Sequence, residues 1–113
     1  MYHRFEENKY PSTNIKINNF IEHLDLIKNN QIKFINPNNF EYALSNQKKE
    51  KKILLTIDDG FKSFYEHAWP ILKRQKIPFV LFVNTREVGA NGYMNWDQIN
   101  EIAKEKFVHI GNH

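Results

Sequence analysis

Cysteine is absent from this chain, which excludes a disulfide framework and any thiolate-based metal or nucleophile site. No apolar run approaches the ~20 residues of a membrane span, and Met1 to Pro11 lacks the apolar core of a signal peptide. Glycine is scarce, at four residues, and forms no Gly/Ser linker; there is no internal repeat, and the joints are the asparagine pairs Asn18-Asn19, Asn29-Asn30 and Asn38-Asn39. Charge of one sign is not concentrated either. The net charge is +3, and lysines alternate with acids along the chain, which favours an ordinary solvated surface over a nucleic-acid-binding stripe. The one dense basic run, Lys48, Lys49, Lys51 and Lys52, encloses Glu50 and leads into a strand, so it reads as a soluble connection. Apolar mass is present in quantity. Hydrophobic residues make up 41% with nine phenylalanines, enough for a packed core and against disorder. The length, 113 residues, suits one small domain and is about half of what an α/β barrel needs to close. A compact open sheet and a piece of something larger are both compatible with it.

The apolar periodicity predicts a succession of strands and helices. Ile17, Phe20, Ile21, Leu24 and Ile27 predict a helix over about residues 18–28, with Asn29-Asn30 supplying the left-handed residue that ends it. A short strand over 32–35 and a helix opened by Asn36 as N-cap and Pro37 as first residue follow. Ile53 to Ile57 predicts one continuous strand. Phe64, His67, Ala68, Ile71 and Leu72 mark one face of a helix that Pro70 should kink or restart. Phe79 to Val83 is the next strand. Asn95 caps a helix from Trp96 to about Lys104, with Trp96, Ile99 and Ile102 or Ala103 inward, and Phe107 to Gly111 is the last strand. Strand, helix, strand, helix, strand with crossovers of this length predicts parallel neighbours joined right-handedly, so that all three strand ends face one rim.

That rim carries chemistry. Asp58-Asp59-Gly60 follows the first strand, Asn84 the second, and Asn112-His113 the third. Adjacent carboxylates on extended backbone point in different directions, so one can bind a cation while the other takes a proton from a metal-held water. Gly60 lets the backbone turn beneath a substrate. Taken alone, Asp-Asp-Gly reads equally as a turn with a helix N-cap. A carboxylate and His113 from neighbouring strand ends are two of the three protein ligands that a catalytic zinc usually takes.

Thr56-Ile57-Asp58-Asp59-Gly60 resembles the first motif of the polysaccharide deacetylases, the NodB-type carbohydrate esterases, usually Thr-Phe-Asp-Asp-Gly. Pro70 to Lys73 and Ile77 to Val83 are similar to that family's helix and second strand, and Asn95 to Ile99 to the segment opening its next helix. Ile110 to His113 resembles the approach to its second motif, with His113 as the first histidine of His-(Ser/Thr)-x-x-His. Met1 to Phe5 and the helix after it resemble the segment preceding the first motif, so the likeness covers essentially the whole chain. It implies an α/β fold, the N-terminal portion of a distorted (β/α) barrel, incomplete in this chain. Residues 1–52 would be the lead-in and 53–113 the first βαβαβ. It further implies removal of acetyl groups from N-acetylated sugars of a polysaccharide, assisted by a divalent metal: zinc, with cobalt or nickel as alternatives. By the resemblance Asp58 is the general base, and Asp59 and His113 are metal ligands. No substrate-binding residue is assigned, and a cell-envelope or secreted location is implied. The early Tyr2-His3 leans toward the exopolysaccharide-acting members. Ile57 replaces the usual phenylalanine, one buried apolar side chain for another. The second motif's further histidine would fall four residues past His113, and the later motifs with their arginine, aromatic groove and acid histidine have no counterpart. The chain by itself is therefore expected to be inactive.

The other histidines read more plainly. His109 alternates with Val108 and Ile110 as a packed or hydrogen-bonded strand residue, while His23 and His67 lie on helices as structural or surface groups. His3 reads as an ordinary edge residue, with the mouth of the site as the alternative. Trp69 and Trp96 read as core rings, with sugar stacking the alternative for Trp96. Asn84 reads as a loop-capping amide. Two other functions compete: a catalytically dead sugar-binding module of the same fold, and a phosphoacceptor receiver domain. The receiver needs an acceptor aspartate at a later strand end, where this chain has Asn84 and Asn112-His113.

Overall fold

A computed structural model describes residues 1–45 and 50–113. Lys48 and Lys49 of the basic run lie outside the described residues. The chain opens with strands β1 (Arg4–Phe5) and β2 (Asn14–Ile15), then helix α1 (Ile17–Asn29), strand β3 (Lys33–Phe34), helix α2 (Phe40–Ser45) and strand β4 (Lys52–Ile53). It continues with β5 (Thr56–Asp59), α3 (Trp69–Gln75), β6 (Phe79–Val83), α4 (Trp96–Ala103) and β7 (Val108–Asn112). All the strand pairs are parallel, β1 with β2, β3 with β4, and β5, β6 and β7 in that order. A parallel bridge from Tyr2 to Ile57 sets β1 beside β5, with the Asp58 N–H donating to the Tyr2 carbonyl at 2.8 Å. The ends of β1, β5, β6 and β7 therefore share one rim. This is the N-terminal portion of a distorted (β/α) barrel, as the resemblance implies.

Local chemistry accounts for most element boundaries. Phe20 and Leu24 bury one stripe of α1. At its end the left-handed residue is Gln31, φ +57°, and not an asparagine. The reason is that the Asn30 side-chain amide donates to the Leu26 carbonyl at 2.7 Å, which holds Asn30 near the helical region and passes the turn to its neighbour. The Asn36 side chain accepts from the Asn38 N–H, and the first turn, Pro37–Asn39, is a 3-10 turn running into α2.

The predicted strand over Ile53 to Ile57 is two strands. Lys52–Ile53 pairs with β3 and Thr56–Asp59 pairs with β6, so the apolar run serves two sheets with different partners. Pro70 restarts its helix as expected. The turn before it, Phe64–Ala68, widens to a π-helix in which the Trp69 N–H reaches back to the Phe64 carbonyl, and α3 begins with proline in its first turn. In α4 the Asn95 side chain and Gln98 form a reciprocal capping box, and Ile99 and Ile102 face inward. Trp96 does not: it is 53% exposed, because as first residue of the helix it sits on the rim beyond the edge of the core.

Aromatic rings run through a core that is otherwise aliphatic. Phe5 packs edge-on against Phe20 at 5.0 Å, Phe64 against Phe79 at 5.6 Å, and Trp69 against Phe79 at 5.9 Å. Each such pair adds about 0.5–1.5 kcal/mol beyond area burial. Phe5 and Phe64, 5.9 Å apart, tie β1 to the helix after β5, and the Phe5 N–H donates to the buried Ser63 hydroxyl at 3.2 Å. These contacts hold the N-terminal strand against the rim that carries the acids.

Candidate functional site

Asp58 and Asp59 end β5, and alternation of side chains sends them to different surroundings. Asp58 is 7% exposed, whereas Asp59 is half-buried. Asp59 and Gly60 adopt successive left-handed conformations, φ +72° and +77°. Aspartate tolerates that region better than most residues, and glycine does so freely. The chain turns sharply there, and the loop after β6 fastens onto the turn. The Met94 N–H donates to the Gly60 carbonyl at 3.0 Å and the Lys62 N–H to the Gly92 carbonyl at 2.9 Å.

His113 continues the line of β7, its backbone N–H donating to the Val83 carbonyl at 3.0 Å. Since β6 lies between β5 and β7, the flanking backbones stand roughly 10 Å apart, two strand spacings. Asp59 and His113 close that gap with their side chains. His113 Nδ1 is 3.5 Å from Asp59 Oδ1, and its Nε2 is 3.8 Å from Asp58 Oδ2. On the other side, His3 Nε2 is also 3.8 Å from Asp58 Oδ2. Asp58 thus sits between two imidazoles. Its other oxygen, Oδ1, is buried and has no hydrogen-bond partner among the described residues, a condition that costs about 1–3 kcal/mol.

The placement of His3 corrects the reading of it as an ordinary edge residue. β1 is followed by no recognisable motif, and only its docking beside β5 brings the imidazole to the acid. The sequence carried little signal for it, since Tyr2, His3, Arg4 and Phe5 do not alternate apolar with polar and the strand they open has two residues.

Two donors each ~2.1 Å from a tetrahedral cation are about 3.4 Å apart. The Asp59 to His113 separation of 3.5 Å fits that spacing. Among the described residues no group of three or more histidine, cysteine or acidic side chains is arranged to hold a metal ion.

Beside the acids stands a layered stack that sequence reasoning missed. The Arg4 guanidinium lies over the Phe61 ring at 3.6 Å and over the Tyr10 ring at 4.4 Å, and Phe61 in turn packs on Tyr93 at 4.9 Å. Arg4 also donates to Glu7 at 2.9 Å. Burial holds the Tyr93 hydroxyl above its ordinary pKa, with the Glu87 and Asp59 charges acting in the same direction and Arg4 opposing them.

The remaining histidines stay away from the acids. His109 Nδ1 meets Asn38 Oδ1 at 3.3 Å, the Tyr2 hydroxyl bonds His23 Nδ1 at 2.7 Å, and His67 is exposed in the π turn. Trp69 donates its indole N–H to Glu101 at 3.3 Å from within the core.

A parallel α/β sheet whose carboxyl rim gathers two acids and two imidazoles is an α/β domain with an acid–base rim of the kind that hosts enzymatic sites. The chain belongs to the polysaccharide deacetylase family, whose model matches residues 45–113. It is 32% identical over 83 residues to the poly-beta-1,6-N-acetyl-D-glucosamine N-deacetylase of Staphylococcus aureus (strain MSSA476), a match that takes in 73% of this chain and 29% of that protein. Among solved structures it resembles IcaB from Ammonifex degensii, with a TM-score of 0.86 and 33% identity over 99% of this chain and 50% of that one. It also resembles the Streptococcus pyogenes deacetylase PplD in complex with acetate, with a TM-score of 0.81 and 25% identity over 100% of this chain and 54% of that one. The chain therefore spans under a third of the staphylococcal enzyme and about half of each solved chain. No helix among the described residues is long and apolar enough to cross a membrane.

Proposed function

We propose that these residues form the N-terminal part of the catalytic domain of a metal-dependent hydrolase that removes acetyl groups from the N-acetylated sugars of a polysaccharide. A polymer of N-acetylglucosamine is the substrate class the staphylococcal relative's name supports. One observation carries the reading: Asp59 and His113, 54 residues apart in sequence, meet at 3.5 Å beside a buried carboxylate that lacks a partner. The lead-in of this partial domain, expected over residues 1–52, runs on through β4 at Lys52–Ile53, the first βαβαβ begins with β5 at Thr56, and the lead-in contributes β1 to the rim.

Asp59 and His113 would hold a divalent cation, zinc or alternatively cobalt or nickel, which when bound supplies positive charge to the acetyl carbonyl and the attacking water. Asp58 is the base. Its carboxylate takes a proton as the water oxygen adds to the amide carbon, forming a tetrahedral oxyanion. Collapse of that oxyanion breaks the C–N bond and releases acetate. The departing sugar amine needs a proton, and the one that Asp58 took from the water can be returned to it, with His3 Nε2 3.8 Å from Asp58 Oδ2 as a group able to share that proton. The two imidazoles differ in position: His113 lies against both Asp58 and Asp59, and His3 against Asp58.

Two protein donors hold zinc weakly, so a third comes from outside the described cluster, and the 113 residues alone turn over little or no substrate. The test is acetate release from a β-1,6-linked N-acetylglucosamine oligomer by the longest natural polypeptide that carries these residues, with zinc, cobalt or nickel and then with chelator. Release that chelator abolishes and metal restores is expected. Equal release with and without metal would overturn the reading. One competitor, a sugar-binding module without catalysis, predicts oligomer binding and no acetate under any metal.

A further inference from the structure

We propose that the outward face of Tyr10, backed by Arg4, Phe61 and Tyr93, is a stacking subsite for a sugar ring next to the one held over Asp58 and Asp59. This rests on the deacetylase reading for its ligand and adds the place where the polymer lies.

The location follows from topology. Arg4 and Phe5 form β1, so the loop carrying Tyr10 leaves the same rim as the acids. Phe61 stands two residues beyond Asp59, and its bridge to Tyr93 brings the loop after β6 into the same stack. The layers are therefore continuous with the end of β5 and extend away from it.

Exposure and rigidity identify the working surface. Tyr10 is 57% exposed although one face of its ring lies on the guanidinium, so the other face is open to solvent. It holds a left-handed conformation, φ +61°, which costs a bulky side chain about 1–2 kcal/mol. The Thr13 N–H and hydroxyl both donate to the Tyr10 carbonyl, at 3.0 and 3.3 Å, and fix that turn. Backbone strain of this sort persists where the surroundings over-determine a position, and it clusters at ligand clamps. Glu6, at φ +56°, and Asp59 adopt the same region on this rim, and Gln31 and Lys76 adopt it at helix ends away from the rim.

Charge selects the occupant. The Arg4 guanidinium is already paired with Glu7 at 2.9 Å and covered by rings on both faces, so the stack offers no spare cation to a phosphate or carboxylate. What it offers is a fixed aromatic face with a phenol at its edge. A neutral pyranose presents a complementary apolar C–H face with hydroxyls around its rim.

The experiment is an NMR titration of the full chain with a β-1,6-linked N-acetylglucosamine pentamer, following the tyrosine ring signals, with no metal added. The Tyr10 ring protons are expected to shift saturably. Tyr10→Ala should weaken pentamer binding about fivefold, and Tyr10→Phe, which keeps the ring, should stay within about twofold of the parent. Absence of pentamer binding, or a bound pentamer that leaves the Tyr10 signals unmoved, overturns the proposal; the wild-type shift requires no variant to fold. Acetate is not measured, so the two readings fail separately. Binding through Tyr10 together with no acetate release by the longest natural polypeptide carrying these residues, under any of the metals, leaves the subsite standing and removes the hydrolase. Acetate release with an indifferent Tyr10 does the reverse.

Discussion

Replacing Asp58 with asparagine separates catalysis from folding at one atom. The carboxylate is 7% exposed, lies 3.8 Å from an imidazole on each side, and leaves Oδ1 buried without a partner. Asparagine keeps the shape and removes the proton acceptor. Loss of a general base lowers turnover by about 10²–10⁴-fold, equivalent to about 3–5 kcal/mol in the barrier. Stability should move the other way or not at all, because an unpaired buried polar oxygen costs about 1–3 kcal/mol and a neutral amide is cheaper to bury than a carboxylate. Acetate release and urea unfolding on the same preparation of the longest natural polypeptide that carries these residues read both quantities. The competing view, in which Asp58 is only a turn-forming or capping residue, predicts the opposite pattern: a loss of about 1 kcal/mol in stability with turnover scaled only by the folded fraction. A stable-as-before Asp58→Asn protein that keeps turnover within about threefold of the parent would refute the base assignment outright.

Three further outcomes follow from the geometry. Asp59→Ala and His113→Ala should each weaken cobalt binding by about tenfold or more, measured by equilibrium titration of the metal's visible absorption; unchanged affinity in both removes them as ligands. Gly111→Ala should destabilise by about 1–3 kcal/mol in denaturant unfolding, because its Cβ would fall 2.7 and 2.8 Å from two carbons of the Phe82 ring across the β6–β7 pair. The Glu6 carboxyl is held below the ordinary carboxylate range, chiefly by the hydrogen bond from the Ile17 N–H, with Lys16 adding to it against the effect of burial. A depressed folded-state value means that its contribution is complete above the unfolded pKa and is lost as pH falls through the folded one. Acidification below the ordinary carboxylate range should therefore raise exchange at the Ile17 amide, corrected for its intrinsic rate, and Glu6→Gln should abolish that dependence.

Parallel βαβ order, the capping of α4 by Asn95, the restart at Pro70 and the pairing of acids with a strand-end histidine were all legible from local pattern. Each depends on residues a few positions apart or on chain connectivity. The apolar run from Ile53 to Ile57 misled because hydrophobicity marks a strand without naming its neighbour, and two sheets share that run. Trp96 misled for a related reason. A large ring at the first position of a helix fits a helical stripe, yet the stripe extends past the edge of the core.

The amino-acid sequence alone determined that carboxylates and an imidazole emerge at the ends of parallel strands, because strand period and crossover handedness follow from backbone chemistry. Which side chains meet was decided only in three dimensions. His3 reaches Asp58 because a parallel bridge docks β1 against β5, and Arg4, Tyr10, Phe61 and Tyr93 stack because three loops leave one rim. Such meetings depend on long-range packing of Phe5, Phe20 and Phe64, whose rings are indifferent in sequence to one another until the core closes around them.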